Sequence, residues 1–375
     1  MAPQTASGRF FALLTTVILS ACTGTVTQPS PATSTVAPTV TSTATPAPTR
    51  TAAPTPTLAP TIGEPADDGA RIIEVLAPKT LPQQVQAGDA FVTANPLPVT
   101  RVRDLTIESP AVDHLVHVRL LLPAHWDAEP AATWPVLYLL GGQSGTYDGW
   151  TVYLDAEPLT ASTDLLVVMA DQGADDPNGS SFTDWWNDGK GGPPMWETFH
   201  LVELRQLLER NWRAGEKRAI AGASAGGYGA MEYAARQPGL FRFAGSYSEG
   251  GLHEFVGPAS GPEPYDKWGD PVAQADIWKA HDPYLNAAAL KGTALFVSYG
   301  NGEPGALDDY AISPWDPTGE AERYCAAQSA AFVGRLHELK IPVTVYAYGN
   351  GTHGAAYFSR DLQRSLPIIV KALGE

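Results

Sequence analysis

A short apolar segment, Arg218–Ala221, runs directly into Gly222-Ala223-Ser224-Ala225-Gly226, and a helical period over Ala225–Arg236 begins with no spacer. No other feature constrains the chain as much, because it dictates a strand, a sharp corner and a helix, with Ser224 at the corner. Such a corner strains the serine backbone. It also brings helix and strand so close that small residues are needed at 222 and 226. The G-x-S-x-G string alone is weak evidence, and its place between strand and helix gives it weight. Ser224 is therefore the candidate nucleophile.

The surrounding pattern tells what such a corner belongs to. Strands are expected at Ile72–Leu76, Asp104–Ile107, Leu115–Leu122, Val136–Leu140, Leu165–Met169, Phe241–Ser246, Ala294–Ser298 and Val343–Tyr348, besides Arg218–Ala221. Several are bare Val, Leu and Ala runs bounded by Gly or Pro, as buried parallel strands are. Phe199–Trp212 carries Leu201, Leu204, Leu207 and Leu208 at helical spacing. Further helices are expected at Ala225–Arg236, Glu320–Leu339 and Ala356–Leu373, the last bent at Pro367. Strands alternating with helices specify an α/β fold around a mostly parallel sheet, with helices on both faces.

A serine nucleophile needs a base and an orienting acid. Of eight histidines, His114, His117 and His125 precede Ser224 beside an early strand, and His200 and His337 fall within helices. His353 lies in Gly349-Asn350-Gly351-Thr352-His353-Gly354, between the last strand and the last helix. That is the C-terminal edge of the sheet, where catalytic groups collect in open α/β folds. His353 is the expected base, with His253 and His281 as competitors. The acid should follow Ala294–Ser298, which leaves Asp308, Asp309, Asp316, Glu320 and Glu322 undecided on the residues alone.

The N-terminal part obeys different rules. Residues 1–63 contain no Asp or Glu and only Arg9 and Arg50 as bases, so all 40 acids lie in 64–375. The net charge of −16 argues against nucleic acid or an anionic surface as partner. Phe10–Ala21 is too short to span a bilayer and suits the apolar core of a secretory signal. It ends in Leu19-Ser20-Ala21-Cys22, which resembles the cleavage box of bacterial lipoproteins. The resemblance implies cleavage after residue 21, acylation of Cys22 and attachment to the outer face of the cell membrane by lipid alone. Residues 23–62, nearly all Thr, Pro, Ala and Ser, lack the apolar bulk to offset ordering entropy. They read as a tether reaching at most about 120 Å. The expected organisation is a signal at 1–21, a tether at 22–69 and one catalytic domain at 70–375. Cys325, the other cysteine, reads as a buried small hydrophobe.

Several blocks together resemble the esterase D and antigen 85 (mycolyltransferase) branch of the α/β-hydrolases. They are Tyr138-Leu139-Leu140-Gly141-Gly142, Ser181-Phe182-Thr183-Asp184-Trp185-Trp186, Trp196-Glu197-Thr198-Phe199, Ser224 to Ala230, Phe243-Ala244-Gly245-Ser246, Gly300 to Pro304, and Asn350-Gly351-Thr352-His353. They keep the family's order from about Leu105 to the C-terminus. In that family the acid opens a helix ten residues before a Phe. Phe332 then selects Glu322, with Glu320 second and Asp308/Asp309 third. The resemblance also implies an oxyanion hole from the backbone N–H groups of Ala225 and Gln143. Gln143 follows its strand on a Gly-Gly turn beside the corner.

Two departures from the mycolyltransferases stand out: Gly141 replaces an Asp that helps hold the sugar acceptor, and Gly354-Ala355 replaces Ser-Trp after the histidine. Both remove acceptor-side groups while leaving the hydrolytic machinery intact, and they favour ester hydrolysis, or transfer to another acceptor, over mycolyl transfer to trehalose. The expected activity is that of a serine esterase acting on a small-molecule, lipid or sugar ester. Acyl transfer to an envelope sugar or alcohol and non-catalytic surface binding are the alternatives. The chemistry calls for no cofactor or metal. Trp185-Trp186 beside Asp184 and Asp188 could form a carbohydrate platform, although Trp more often serves packing. Asp171–Asp188 lacks the ligand spacing of a calcium loop.

Overall fold

The computed structural model describes residues 69–87, 90–143, 145–173, 182–186, 195–249, 267–308 and 317–374. The expected signal, Cys22 and nearly all of the tether lie outside the described residues, as do His253, Asp309, Asp316 and Asp188. Between Glu249 and Asp282, only 249 and 267–282 are described.

Eleven strands form among the described residues: β1 Arg71–Leu76, β2 Thr80–Ala87, β3 Ala90–Pro98, β4 Val102–Ser109, β5 His114–Leu121, β6 Trp134–Leu140, β7 Leu166–Ala170, β8 Ala214–Ala223, β9 Phe243–Tyr247, β10 Ala294–Tyr299 and β11 Thr344–Ala347. Nine of them make one sheet in the order β1-β4-β5-β7-β6-β8-β9-β10-β11. The pairs from β7 through β11 are parallel, and β1, β4, β5 and β7 pair antiparallel at the other end. This is the expected mostly parallel sheet, extended by antiparallel strands on one side.

β6 and β9 are buried along their whole length, which is why they read as unbroken apolar runs. The pleat sends Val136, Tyr138 and Leu140 into one core and Leu137 and Leu139 into the other. The first core is covered by helix α4 (Ala225–Arg236) and by α3, a continuous helix made of Trp196–Thr198, a π-helical stretch Phe199–Leu204 and Arg205–Asn211. The second is covered by α7 (Ala355–Leu373) through Phe358, Leu362, Ile369 and Leu373. Each fully buried side chain of this kind contributes about 1.5–3 kcal/mol. Short helices α1 (Gly149–Val152), α2 (Ala156–Thr160) and α5 (Ala275–Ala280), and the long α6 (Pro317–Glu338), are further α-helices among the described residues; Pro367 lies inside α7.

The sequence pattern did not reveal the β2–β3 hairpin. Its strands hold Pro82, Pro96 and Pro98 and many polar residues. A two-stranded ribbon is all edge, so it tolerates proline and needs no apolar run.

Candidate active site

β8 ends at Ala223, and Ser224 sits between it and α4 with φ +53° and ψ −130°. A non-glycine residue there is strained, and the surroundings hold it. The Ser224 N–H donates to the Tyr247 carbonyl at 2.9 Å. A Cβ on Gly222 would run into the Gly226 carbonyl, and one on Gly226 into the Leu140 and Gly141 carbonyls. Glycine is thus required where helix, strand and the β6 turn meet. Ala225 is the first residue of α4, so its N–H has no intrahelical acceptor.

The parallel ladder continues one residue past each strand. Ser248 N–H donates to the Ser298 carbonyl at 2.7 Å, and Tyr348 N–H to the Tyr299 carbonyl at 3.1 Å. Ser224, Ser248, Gly300 and Tyr348 therefore stand at successive strand ends, about 4.8 Å per strand apart. Ser248 also has positive φ, 55°.

His353 Nδ1 lies 2.9 Å from Glu322 Oε2. Glu322 comes from α6 and is fully buried; its other oxygen, Oε1, accepts from the Ser248 hydroxyl, the Gly300 N–H at 2.5 Å and the Tyr348 hydroxyl at 3.2 Å. Burial pushes the Glu322 carboxyl up, but the bonds and charge of His353, with those of Ser248 and Gly300, outweigh it and hold the group below its usual range. An ionised Glu322 fixes the proton on Nδ1 and leaves Nε2 as the ring nitrogen that can accept one. The ring also meets Phe358 edge-on at 5.1 Å, and the His353 N–H donates to the Thr318 carbonyl.

The other acids do different work. Asp308 accepts from Thr352 Oγ1 at 2.6 Å, Tyr357 Oη at 2.8 Å and the Gly305 N–H at 2.6 Å, so it ties down the loop that carries His353. Glu320 is part-exposed on the first turn of α6, and it is Glu322 that reaches the imidazole. His200 is buried between Tyr233 and the Asp171 carbonyl, and burial depresses it to about 4.

His281 stacks on Trp268 and is pushed down to about 3, first by burial and then by Arg236. With Glu197 and Glu232 it forms the one group with metal-ligand spacing among the described residues. Arg236 already takes the cation's place there: its Nε bonds both Glu197 oxygens at 3.0 and 3.1 Å and stands 3.6 Å from Glu232 Oε1. The set does not fit a metal ion.

Gln143 is exposed at the tip of the β6 turn, with no backbone acceptor for its N–H among the described residues. A Cβ on its neighbour Gly142 would lie 3.3 Å from Ser224 Cβ, so this turn abuts the serine. Trp185 is buried and Trp186 is 43 % exposed, so the pair does not offer two open faces. Asp184 instead bonds the N–H and hydroxyl of Thr198 at the start of α3. Cys325 is buried, its thiol 3.4 Å from Glu249.

Sequence reasoning missed Ser248, Tyr348 and the anchoring role of Asp308. The first could have been found from its position: it is the residue directly after β9, as Ser224 is the residue directly after β8.

The sequence model of the family described as "Putative esterase" matches residues 109–369. The chain is 29 % identical to the diacylglycerol acyltransferase/mycolyltransferase Ag85B of Mycolicibacterium smegmatis over 258 residues, 64 % of this chain and 77 % of that protein. It is 36 % identical to the esterase Rv1288 of Mycobacterium tuberculosis over 138 residues, 35 % of this chain and 28 % of that protein, so it spans little more than a quarter of that esterase. Among solved structures, an S-formylglutathione hydrolase from Agrobacterium tumefaciens superposes with TM-score 0.57 at 17 % identity, covering 81 % of this chain and 99 % of the other.

Proposed function

Because the chain belongs to this esterase family, as an antigen 85-like α/β-hydrolase, we propose that it is a serine esterase working through an acyl-serine intermediate. Ser224 attacks the ester carbonyl while His353 Nε2 takes its proton, and Glu322 orients and stabilises the imidazolium. The N–H groups of Ala225 and Gln143 receive the oxyanion. His353 then protonates the departing alcohol, and water resolves the acyl-enzyme by the same steps in reverse. The observation that carries this reading is the Glu322–His353 pair at the sheet edge where the strained Ser224 corner stands.

Two features favour hydrolysis over transfer to a sugar: Gly141 and Gly354-Ala355 supply no acceptor-binding side chain. The relative named an acyltransferase keeps transfer as the second reading. In either case the domain is held outside the cell by acylated Cys22 and the 22–69 tether. The apolar run before Cys22 and the acid-free composition of 1–63 support that location. A hydrolase shell without turnover is the third reading.

A fluorophosphonate probe and p-nitrophenyl acetate and butyrate separate these. Wild type is expected to be labelled and to turn over both esters, and Ser224→Ala and His353→Ala to lose both properties. Unlabelled, inactive wild type overturns the enzyme reading, and turnover by Ser224→Ala overturns the nucleophile. An added alcohol that diverts product from acid to ester favours the transferase.

A further inference from the structure

The β6 turn, Leu140-Gly141-Gly142-Gln143, is gripped by a side chain from the neighbouring strand. Gln172 is buried two residues beyond β7, which pairs in parallel with β6. Its Oε1 accepts from the Gly141 N–H at 3.0 Å, and its Nε2 donates to the Gly142 carbonyl at 2.5 Å. The Gly145 N–H reaches the same carbonyl at 2.8 Å, and the Trp150 indole bonds the Leu140 carbonyl at 3.0 Å.

The grip has a directional consequence. The described chain has no cis peptide, so the N–H of Gln143 points opposite to the Gly142 carbonyl. Fixing that carbonyl on Gln172 and Gly145 turns the Gln143 N–H away from Gln172. Gly142, at the pivot, abuts Ser224. Space for the carboxamide exists because residue 141 is glycine: a Cβ there would meet both amide heteroatoms at 3.2 Å.

We propose that Gln172 is the positioning residue for the oxyanion hole, a carboxamide that holds the Gly142–Gln143 peptide in the orientation that stabilises the tetrahedral intermediate. The assignment rests on the serine-esterase reading above. An amide is needed, since one end must accept and the other donate. Glutamate at 172 would set a carboxylate oxygen against the Gly142 carbonyl, and methionine would satisfy neither group. A donor held in advance lowers the barrier because it does not have to reorganise as charge develops.

Gln172→Glu, Gln172→Met and Gly141→Ala are compared with wild type for kcat and KM on p-nitrophenyl butyrate, expressed per site titrated by the fluorophosphonate. Each is also assayed for inhibition by a trifluoromethyl ketone, which forms a tetrahedral adduct. Per titrated site, kcat is expected to fall about 10- to 100-fold, short of the ~10²–10³ for deleting a donor outright. KM should change less than twofold, and the ketone should weaken by the same factor as kcat. Gly141→Ala reaches the same peptide from the other side, and in the Gln172→Met background it should add little. Variants that keep wild-type kcat per titrated site overturn the proposal, as does a loss confined to KM or to the number of titratable sites. Wild type that neither labels nor turns over overturns the esterase reading, and this proposal with it.

Discussion

Glu322 Oε2 and His353 Nδ1 meet at 2.9 Å although 31 residues separate them in the chain. The contact exists because three donors at the ends of β9, β10 and β11 capture Oε1 and so leave Oε2 directed at the imidazole. Glu322→Gln keeps the shape but loses the ionised oxygens. We expect kcat to fall about 10³- to 10⁴-fold with little change in KM, measured on p-nitrophenyl butyrate. Full activity in this variant would pass the role to Glu320 or Asp308.

Asp308→Asn tests the loop anchor separately. One side of the Asp308 carboxylate loses acceptor capacity toward Thr352 or Tyr357 and the Gly305 N–H. The cost should be about 1–3 kcal/mol of stability, a fall in Tm of about 2–4 °C per kcal/mol. Its kcat should stay at least tenfold above that of Glu322→Gln. Equal losses in the two variants would contradict the division of labour.

Two glycine substitutions should act in opposite directions. Gly226→Ala drives a Cβ into the Leu140 and Gly141 carbonyls and should abolish activity and soluble yield. Gly334 is exposed inside α6 with nothing within 4 Å of a would-be Cβ. Gly334→Ala should therefore stabilise by about 0.5–1 kcal/mol in denaturant titrations, with activity unchanged.

His200 makes stability depend on pH. Its Nε2–H donates to the Asp171 carbonyl and its Nδ1 accepts from Tyr233, so the native ring is neutral and protonates only near 4. The unfolded ring protonates near 6.5. Between these values the unfolded state holds the extra proton, and stability falls as pH is lowered, by about 1.4 kcal/mol per unit. Buried His281 pulls the same way and Glu197, raised to about 7, the opposite way. Subtracting the profile of His200→Gln isolates the His200 contribution between pH 6.5 and 5. A difference that stays flat over that range would refute it.

Much of the fold was legible because burial on both faces of the central strands, such as β6 and β9, writes itself as local sequence. The exposed edge strands β1 and β11 were expected as well, because they still carry β-branched and aromatic residues. The Ser224 corner was expected from its glycines. The β2–β3 hairpin was not, since a ribbon that buries Leu81 but leaves most of its other described residues partly or fully exposed leaves no such mark. Likewise the residues could narrow the acid only to a group of five, because a surface carboxylate and a buried one look alike in sequence.

The sequence by itself determined the α/β order of elements, the strained serine between strand and helix, and the last-loop histidine, all of them set by neighbours a few residues away. The family resemblance singled out Glu322, but only the tertiary structure brought it to His353 and showed that Ser248 and Tyr348 hold it, that Asp308 anchors the loop, and that Gln172 grips the Gly141-Gly142 turn. These partners lie between 26 and 74 residues apart along the chain. What joins them is the parallel sheet, which sets strand ends side by side about 4.8 Å apart whatever the length of chain between them.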